Sequence, residues 1–208
     1  MKNTKKVLLG GVAALALVGT SVFGTYMYLQ STTGTVENTF TVGKVAITLD
    51  EADTDAYGAQ LYKDADNNLV TDQTNTVADR VQGNEYKLIP GHEYLKDPTV
   101  HVSSESEDSW LFVKVENGIS DIEADKTIAA QMAEEGWSLV GTETNVYAYK
   151  KIVSKNQDIK VFDSFTLTET ASVENYATKS ITITAYAVQA DGFDTAAAAW
   201  AAAPATWN

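Results

Sequence analysis

The sequence predicts an all-β fold, an antiparallel jelly-roll-like β-sandwich with one or two short helices, and three observations carry that reading. Apolar residues alternate with polar ones in one short segment after another. Helical periodicity is confined to one internal stretch and an alanine-rich C-terminal one. The chain holds no cysteine, so stability has to come from a packed core rather than from disulfides, and thiolate metal sites and cysteine nucleophiles are excluded with them.

In chain order, MKNTKK precedes VLLGGVAALALVGTSVFG, three lysines before an uncharged apolar run. This is the pattern of a secretory signal peptide, assigned to residues 1–27, and no basic stop-transfer cluster follows it. Residues 28–208 are then read as a single domain with a polar N-terminal segment at 28–39. In ENTFTVGKVAITLDE (residues 37–51), Phe40 and Val42, then Val45, Ile47 and Leu49, are apolar. The parity switches at Gly43, which predicts a long strand with a bulge there.

Residues 51–83 are rich in Asp, Asn, Thr and Gln and predict short strands around mobile acidic loops. Pro90-Gly91 predicts a turn, and Pro98 a strand start or edge. The acidic run at 105–108 reads as a hairpin tip. SWLFVKVE (109–116) is apolar on both parities, which predicts a strand covered on both faces. DKTIAAQMAEE (125–135) predicts a short helix capped by Asp125 and stopped by Gly136. Residues 136–153 predict a hairpin, and 159–168 and 180–189 two more strands, giving about eight or nine in all. Asp194 is the expected cap of the C-terminal helical turn that carries Trp200.

The net charge is −13, and removal of residues 1–27, with three lysines and no acid, takes it to −16. Such a field repels phosphate backbones, so nucleic acid is not an expected partner. There are two histidines. His92 opens His92-Glu93-Tyr94-Leu95-Lys96, a zinc-protease box whose second histidine is replaced by lysine, flanked by prolines that argue against the helix this motif needs. His101 is read as a surface residue beside Val100 and Val102. No nucleotide-binding glycine motif and no nucleophile elbow occurs. Asp64, Asp66 and Asp72 are weak calcium candidates, since they start like a calcium loop but lack its glycine and its closing glutamate, and the rival reading is an Asx-rich turn. The ten tyrosines suit half-buried strand positions, with carbohydrate binding as the alternative. No catalytic residue and no cofactor is expected.

GTYMYLQSTTGTVENTFTVGKVAITLDE, together with YKLIPGHEYLKDPTVHV, IAAQMAEEGW, FDSFTL and ITITAYAVQADGFDTAAAAWAA, resembles the TasA/camelysin family of Gram-positive secreted proteins over nearly the whole chain. The resemblance implies a jelly-roll sandwich, export through a dedicated signal peptidase, and assembly into fibres of the biofilm matrix or cell surface, with the chain itself and accessory matrix proteins as partners. It places processing at Met27 and Tyr28, with Met27 standing where the family has a small residue. It also implies that the freed N-terminal segment, through Tyr28, Leu29, Val36, Phe40 and Val42, completes the sheet of a neighbouring subunit. A metalloendopeptidase label attaches to the same family, and an adhesin on the same sandwich is a third reading.

Overall fold

The computed structural model describes residues 44–124, 126–176 and 178–203. The leader, the processing position at Met27 and Tyr28, the strand residues Tyr28, Leu29, Val36, Phe40 and Val42, and the bulge at Gly43 lie outside the described residues. The strands are β1 (Ile47–Asp50), β2 (Tyr62–Lys63), β3 (Leu69–Val70), β4 (Thr76–Val77), β5 (Glu93–Leu95), β6 (Thr99–Val102), β7 (Ser109–Asn117), β8 (Trp137–Leu139), β9 (Val146–Tyr149), β10 (Asp158–Lys160), β11 (Ser164–Thr166) and β12 (Ile181–Gln189). Among the described residues two α-helices, α1 (Ile128–Glu135) and α2 (Ala196–Ala201), and a 3-10 turn at Val173–Tyr176 complete the elements. Every strand pairing among the described residues is antiparallel, and the fold is all-β and sandwich-like, as the alternation predicts.

One layer is built from β1, β6 and β10, continued by β5 and β11. Lys160 faces Thr99 in β10–β6 and Ser164 faces Leu95 in β11–β5, so both pairs keep one register. Main-chain bonds bridge the gap between them: Val161 N donates to Pro98 O (2.8 Å) and Lys96 N to Asp163 O (3.2 Å). The single strand expected over 159–168 is therefore two short ones in one ladder. Pro98, which has no N–H to return, sits opposite the break. This splitting, together with the three short strands β3-β2-β4 at 62–77, explains why twelve strands stand among the described residues where eight or nine were expected.

The second layer has the order β12-β7-β9-β8. Its β7 is covered on both faces, as its sequence predicts. Leu111, Val113 and Val115 pack into the inter-sheet core with Val100, Val102, Ile159, Phe165 and Trp137. Phe112 on the opposite face packs with Val146, Val188 and Trp200, the last contributed by α2. The Phe112 and Trp200 rings lie 5.1 Å apart.

Three local expectations are corrected. Residues 103–108 are not a hairpin tip, because β6 and β7 belong to different layers and the segment crosses between them; Ser106 Oγ accepts from Ala46 N and Lys44 O from Glu107 N on the way. The cap of α1 is Thr127, whose Oγ1 accepts from Ala130 N at 3.2 Å, rather than Asp125. The cap of α2 is Thr195, accepting from Ala198 N, rather than Asp194. In both cases threonine holds the position next to the first helical residue, and that position decides the cap. Gly136 ends α1 with φ 97°, a left-handed conformation that favours glycine. Pro90-Gly91 makes a type II turn, with Gly91 at φ 74° and His92 N donating to Ile89 O.

Gln131 ties α1 to the first layer. It is 3% exposed; its Nε2 donates to Ser164 O (2.8 Å) and Lys126 O (3.1 Å), and its Oε1 accepts from Asp163 N and Ser164 N, both at 3.1 Å. Replacing it by the similarly sized Gln131→Leu strands four main-chain groups. We expect a loss of roughly 3 kcal/mol in a urea denaturation series, since each buried unpaired group costs about 1–3 kcal/mol. A loss below about 0.5 kcal/mol would show that the amide does not hold the helix to the sheet.

Candidate functional site

The most distinctive feature of the surface is a cleft between two sheet edges. In the first layer β1 is an edge strand, and in the second layer β12 is one. Between them lies a cleft of about 560 Å³, walled by 47–51 on one side and 181–185 on the other, with Gln82, Gly83, Asn84, Lys96 and Pro98 closing the end. A second cleft of about 710 Å³ adjoins it through the shared Asn84, Lys96 and Ile181 and runs past Tyr86, Leu88, Phe165 and Tyr176. Among the described residues no strand pairs with the outer edge of β1 or of β12.

Register shows which groups those edges present. Gly118 N donates to Ser180 O and Ala190 N to Asp108 O, so the even-numbered residues of β12 bond to β7. The N–H and C=O groups of Ile181, Ile183 and Ala185 therefore point out along the open edge. By the same logic Ser103 N donates to Ala46 O, and the main-chain groups of Ile47 and Leu49 point away from β6. All five side chains are half-buried and pack against the inter-sheet core. The cleft thus combines apolar walls with two rows of main-chain hydrogen-bonding groups.

At its closed end sits a buried polar network. Glu51 is 4% and Lys96 7% exposed. Lys96 Nζ lies 2.5 Å from Glu51 Oε2, and Asn84 Nδ2 donates to Glu51 Oε1 at 2.8 Å and to Ala52 O at 2.9 Å. Asn84 Oδ1 accepts from Thr54 N at 3.0 Å. Tyr86 stands beside them, donating to Leu95 O at 2.8 Å. Desolvation, and then the charge of Glu51, push its hydroxyl well above the ordinary tyrosine value.

On the outer face of the same strands is a charged cluster. Arg80 Nε meets Asp50 Oδ1 (2.5 Å), and its Nη1 meets Asp97 Oδ2 (2.9 Å). His101 bridges Asp50 (2.9 Å) and Asp158 (2.6 Å) through its two ring nitrogens. Burial alone would disfavour the His101 cation, but the contacts with Asp50 and Asp158 outweigh it and hold His101 above the ordinary imidazole value. Burial likewise opposes ionised Asp50, yet Arg80 and His101 prevail and hold its carboxyl below the ordinary value. His101 is thus half-buried between two carboxylates rather than a plain surface residue.

Of the remaining residues singled out by sequence, Lys96 alone belongs to this site. His92 lies just before β5, with Nε2 2.8 Å from Tyr57 O, and Glu93 accepts from Ser164 Oγ. Lys96, in the position of the missing zinc ligand, is the buried partner of Glu51. Asp64 accepts from Asp66 N, Asn68 N and Asn68 Nδ2, and Asp72 accepts from Thr74 N and Thr74 Oγ1. These are Asx turns, and the geometry does not gather Asp64, Asp66 and Asp72 around one point; among the described residues no group of three or more His, Asp or Glu is placed to hold a metal ion. Of the tyrosines, Tyr94 is fully buried, its hydroxyl donating to Lys87 O and accepting from Ile89 N, both at 2.7 Å.

Sequence reading passes over Glu51 and Asn84, and meets Lys96 only as the lysine standing in a zinc-ligand position. One signal was available for Lys96: it shares strand parity with Tyr94, two residues earlier, and so points inward with it. Nothing local marks Asn84, which sits in a polar stretch. No family model matches the chain, and no curated protein matches it.

The charged cluster has a defined pH signature. Asp50, lowered on folding, stabilises above the ordinary carboxylate range, and that contribution fades as pH falls through its folded value. His101, raised on folding, stabilises fully below 6.5, and that contribution fades as pH rises through its folded value. Stability should therefore decline from about pH 6 to about pH 8.5, and His101→Gln should flatten that decline by about 1 kcal/mol or less, the size expected of a partly exposed pair. Urea midpoints at the two pH values check this; an unchanged decline in the variant would assign it to other groups.

Proposed function

We propose that the chain is a secreted structural protein, the subunit of an extracellular matrix or cell-surface fibre, which assembles when its N-terminal segment adds a strand to a neighbouring copy. The cleft between β1 and β12 is the observation that carries this reading. A strand laid there would satisfy the outward main-chain groups of Ile181, Ile183, Ile47 and Leu49 and cover their half-buried side chains.

The proposed occupant is the segment before Lys44, with Val36, Phe40 and Val42 supplying alternating apolar side chains. Leader removal at Met27 and Tyr28 would free its end. Each subunit would receive a strand at the cleft and give one from its N-terminus, a head-to-tail contact that repeats without closing and so yields a filament. The resemblance to the TasA/camelysin family points to the same assembly. The net negative charge adds repulsion between copies, so assembly should strengthen at acid pH or raised ionic strength.

Electron microscopy of the processed protein, at rising concentration and at acid pH, should show filaments. Protein lacking residues 28–41 should remain unassembled. Ile183→Pro removes one outward N–H without taking a bond from the β12–β7 ladder, so it should keep the far-ultraviolet dichroism of the native fold and lose assembly. Filaments of normal length from either variant would rule out strand addition at this cleft, and their absence from the processed wild type would rule out the fibre reading.

A further inference from the structure

We propose that Lys96 and Asn84 become joined by an isopeptide bond, formed autocatalytically with Glu51 as the proton carrier. The inference stands on the geometry of the buried network and does not depend on fibre assembly. A buried amine and a buried carboxyl meet a half-buried carboxamide at the closed end of the cleft. Glu51 touches both prospective partners, Lys96 Nζ through Oε2 (2.5 Å) and Asn84 Nδ2 through Oε1 (2.8 Å). Thr54 N donates to Asn84 Oδ1 at 3.0 Å, the oxygen on which negative charge would develop, so a donor is already in place there. Lys96 and Asn84 line the same end of the cleft.

The step balances without an external reagent. A proton passes from Lys96 Nζ to Glu51 Oε2, giving a neutral amine and a carboxylic acid. The Nζ lone pair attacks Asn84 Cγ, and the electrons of the C=O bond move onto Oδ1, held by the Thr54 N–H. A second Nζ proton reaches Nδ2 through the Glu51 carboxyl, the Cγ–Nδ2 bond breaks, and its electron pair leaves with nitrogen as ammonia. The products are an Nζ–Cγ amide, one ammonia and a neutral Glu51. Burial favours this direction, since a desolvated ion pair is replaced by neutral hydrogen-bonding groups.

Intact-mass measurement of the purified wild-type protein is the decisive test. The expected mass is one ammonia below that of the sequence, with trypsin releasing residues 81–87 joined to 88–114 and uncut at Lys96. Asn84→Ala, Lys96→Arg and Glu51→Gln should each show the full sequence mass. A wild-type mass equal to the sequence, in protein whose circular dichroism shows it folded, would overturn the proposal and leave the three residues as an ion pair with a bound amide. Loss of ammonia that persists in Glu51→Gln would overturn the role given to Glu51, and loss that persists in Asn84→Ala would place the bond elsewhere. Because the wild-type mass is read first, the proposal is decided even if a variant fails to fold.

Discussion

Much of this fold is arranged around one main-chain donor that does not exist, the N–H of Pro98. The residue lies in the middle of the central run of the first layer, with strands on both sides. Its carbonyl stays in the ladder and accepts from Val161 N, but nothing returns toward β10. Side chains take over where main chain would normally continue. Asp97 Oδ1 accepts from Ala52 N at 2.7 Å, in the place where the β1–β6 register would have used a backbone carbonyl. Arg80 then anchors Asp97 from outside, through both its carboxylate and its carbonyl, and holds Asp50 in the same grip. On the inner side Lys96 reaches Glu51, just after β1 ends and where the chain leaves β6 to bridge Val81.

That departure opens the cleft. Because β1 is only four residues long and its continuation turns toward Val81, the first layer does not close over β12, and the two edges are left facing one another. A cavity end lined by Lys96 and Glu51 would be costly if either were alone, since an unpaired buried ion is among the most expensive things a core can hold. Here each is matched, and the amide of Asn84 takes up the remaining carboxylate oxygen. The protein therefore keeps an open, partly apolar groove next to a polar corner whose charges are matched. The groove offers main-chain hydrogen bonds, and the corner offers chemistry.

What the sequence revealed follows from which interactions are local. β7 was legible as a doubly covered strand because both parities of residues 109–116 are apolar. The Pro90-Gly91 turn and the Gly136 stop were legible because proline and glycine restrict or release φ at single positions. The helix caps were missed by one or two residues because aspartate and threonine are both good caps, and only register along the helix chooses between them. The reading of 105–108 as a hairpin tip failed for another reason: a polar turn between two strands looks the same whether the strands pair or part to different sheets. Lys96, Glu51 and Asn84 come from separate stretches, and their meeting depends on how β1 diverges at Pro98. Only the parity of Lys96 with Tyr94 hinted at it.

The corner and the groove also bear on one another mechanically. A fibre held by the proposed strand addition would transmit tension through the strands flanking the donated one, and β1 would be one of them. Its C-terminal end is secured by the Glu51–Val81 bridge and by the Asp97 side chain, contacts that are individually worth about 1 kcal/mol. A covalent link from Lys96 to Asn84 would enclose a short loop, so the stabilisation of the unloaded protein would be modest, on the order of 3 kcal/mol. Its larger effect would be on the route of unfolding. The segment that carries Val81 and Asn84 could no longer peel from the central strand, and β1 would keep its bridge until the ladder around Pro98 itself gave way. The absent N–H of Pro98 weakens that ladder at one point, and the residues gathered around it are the ones placed to reinforce it.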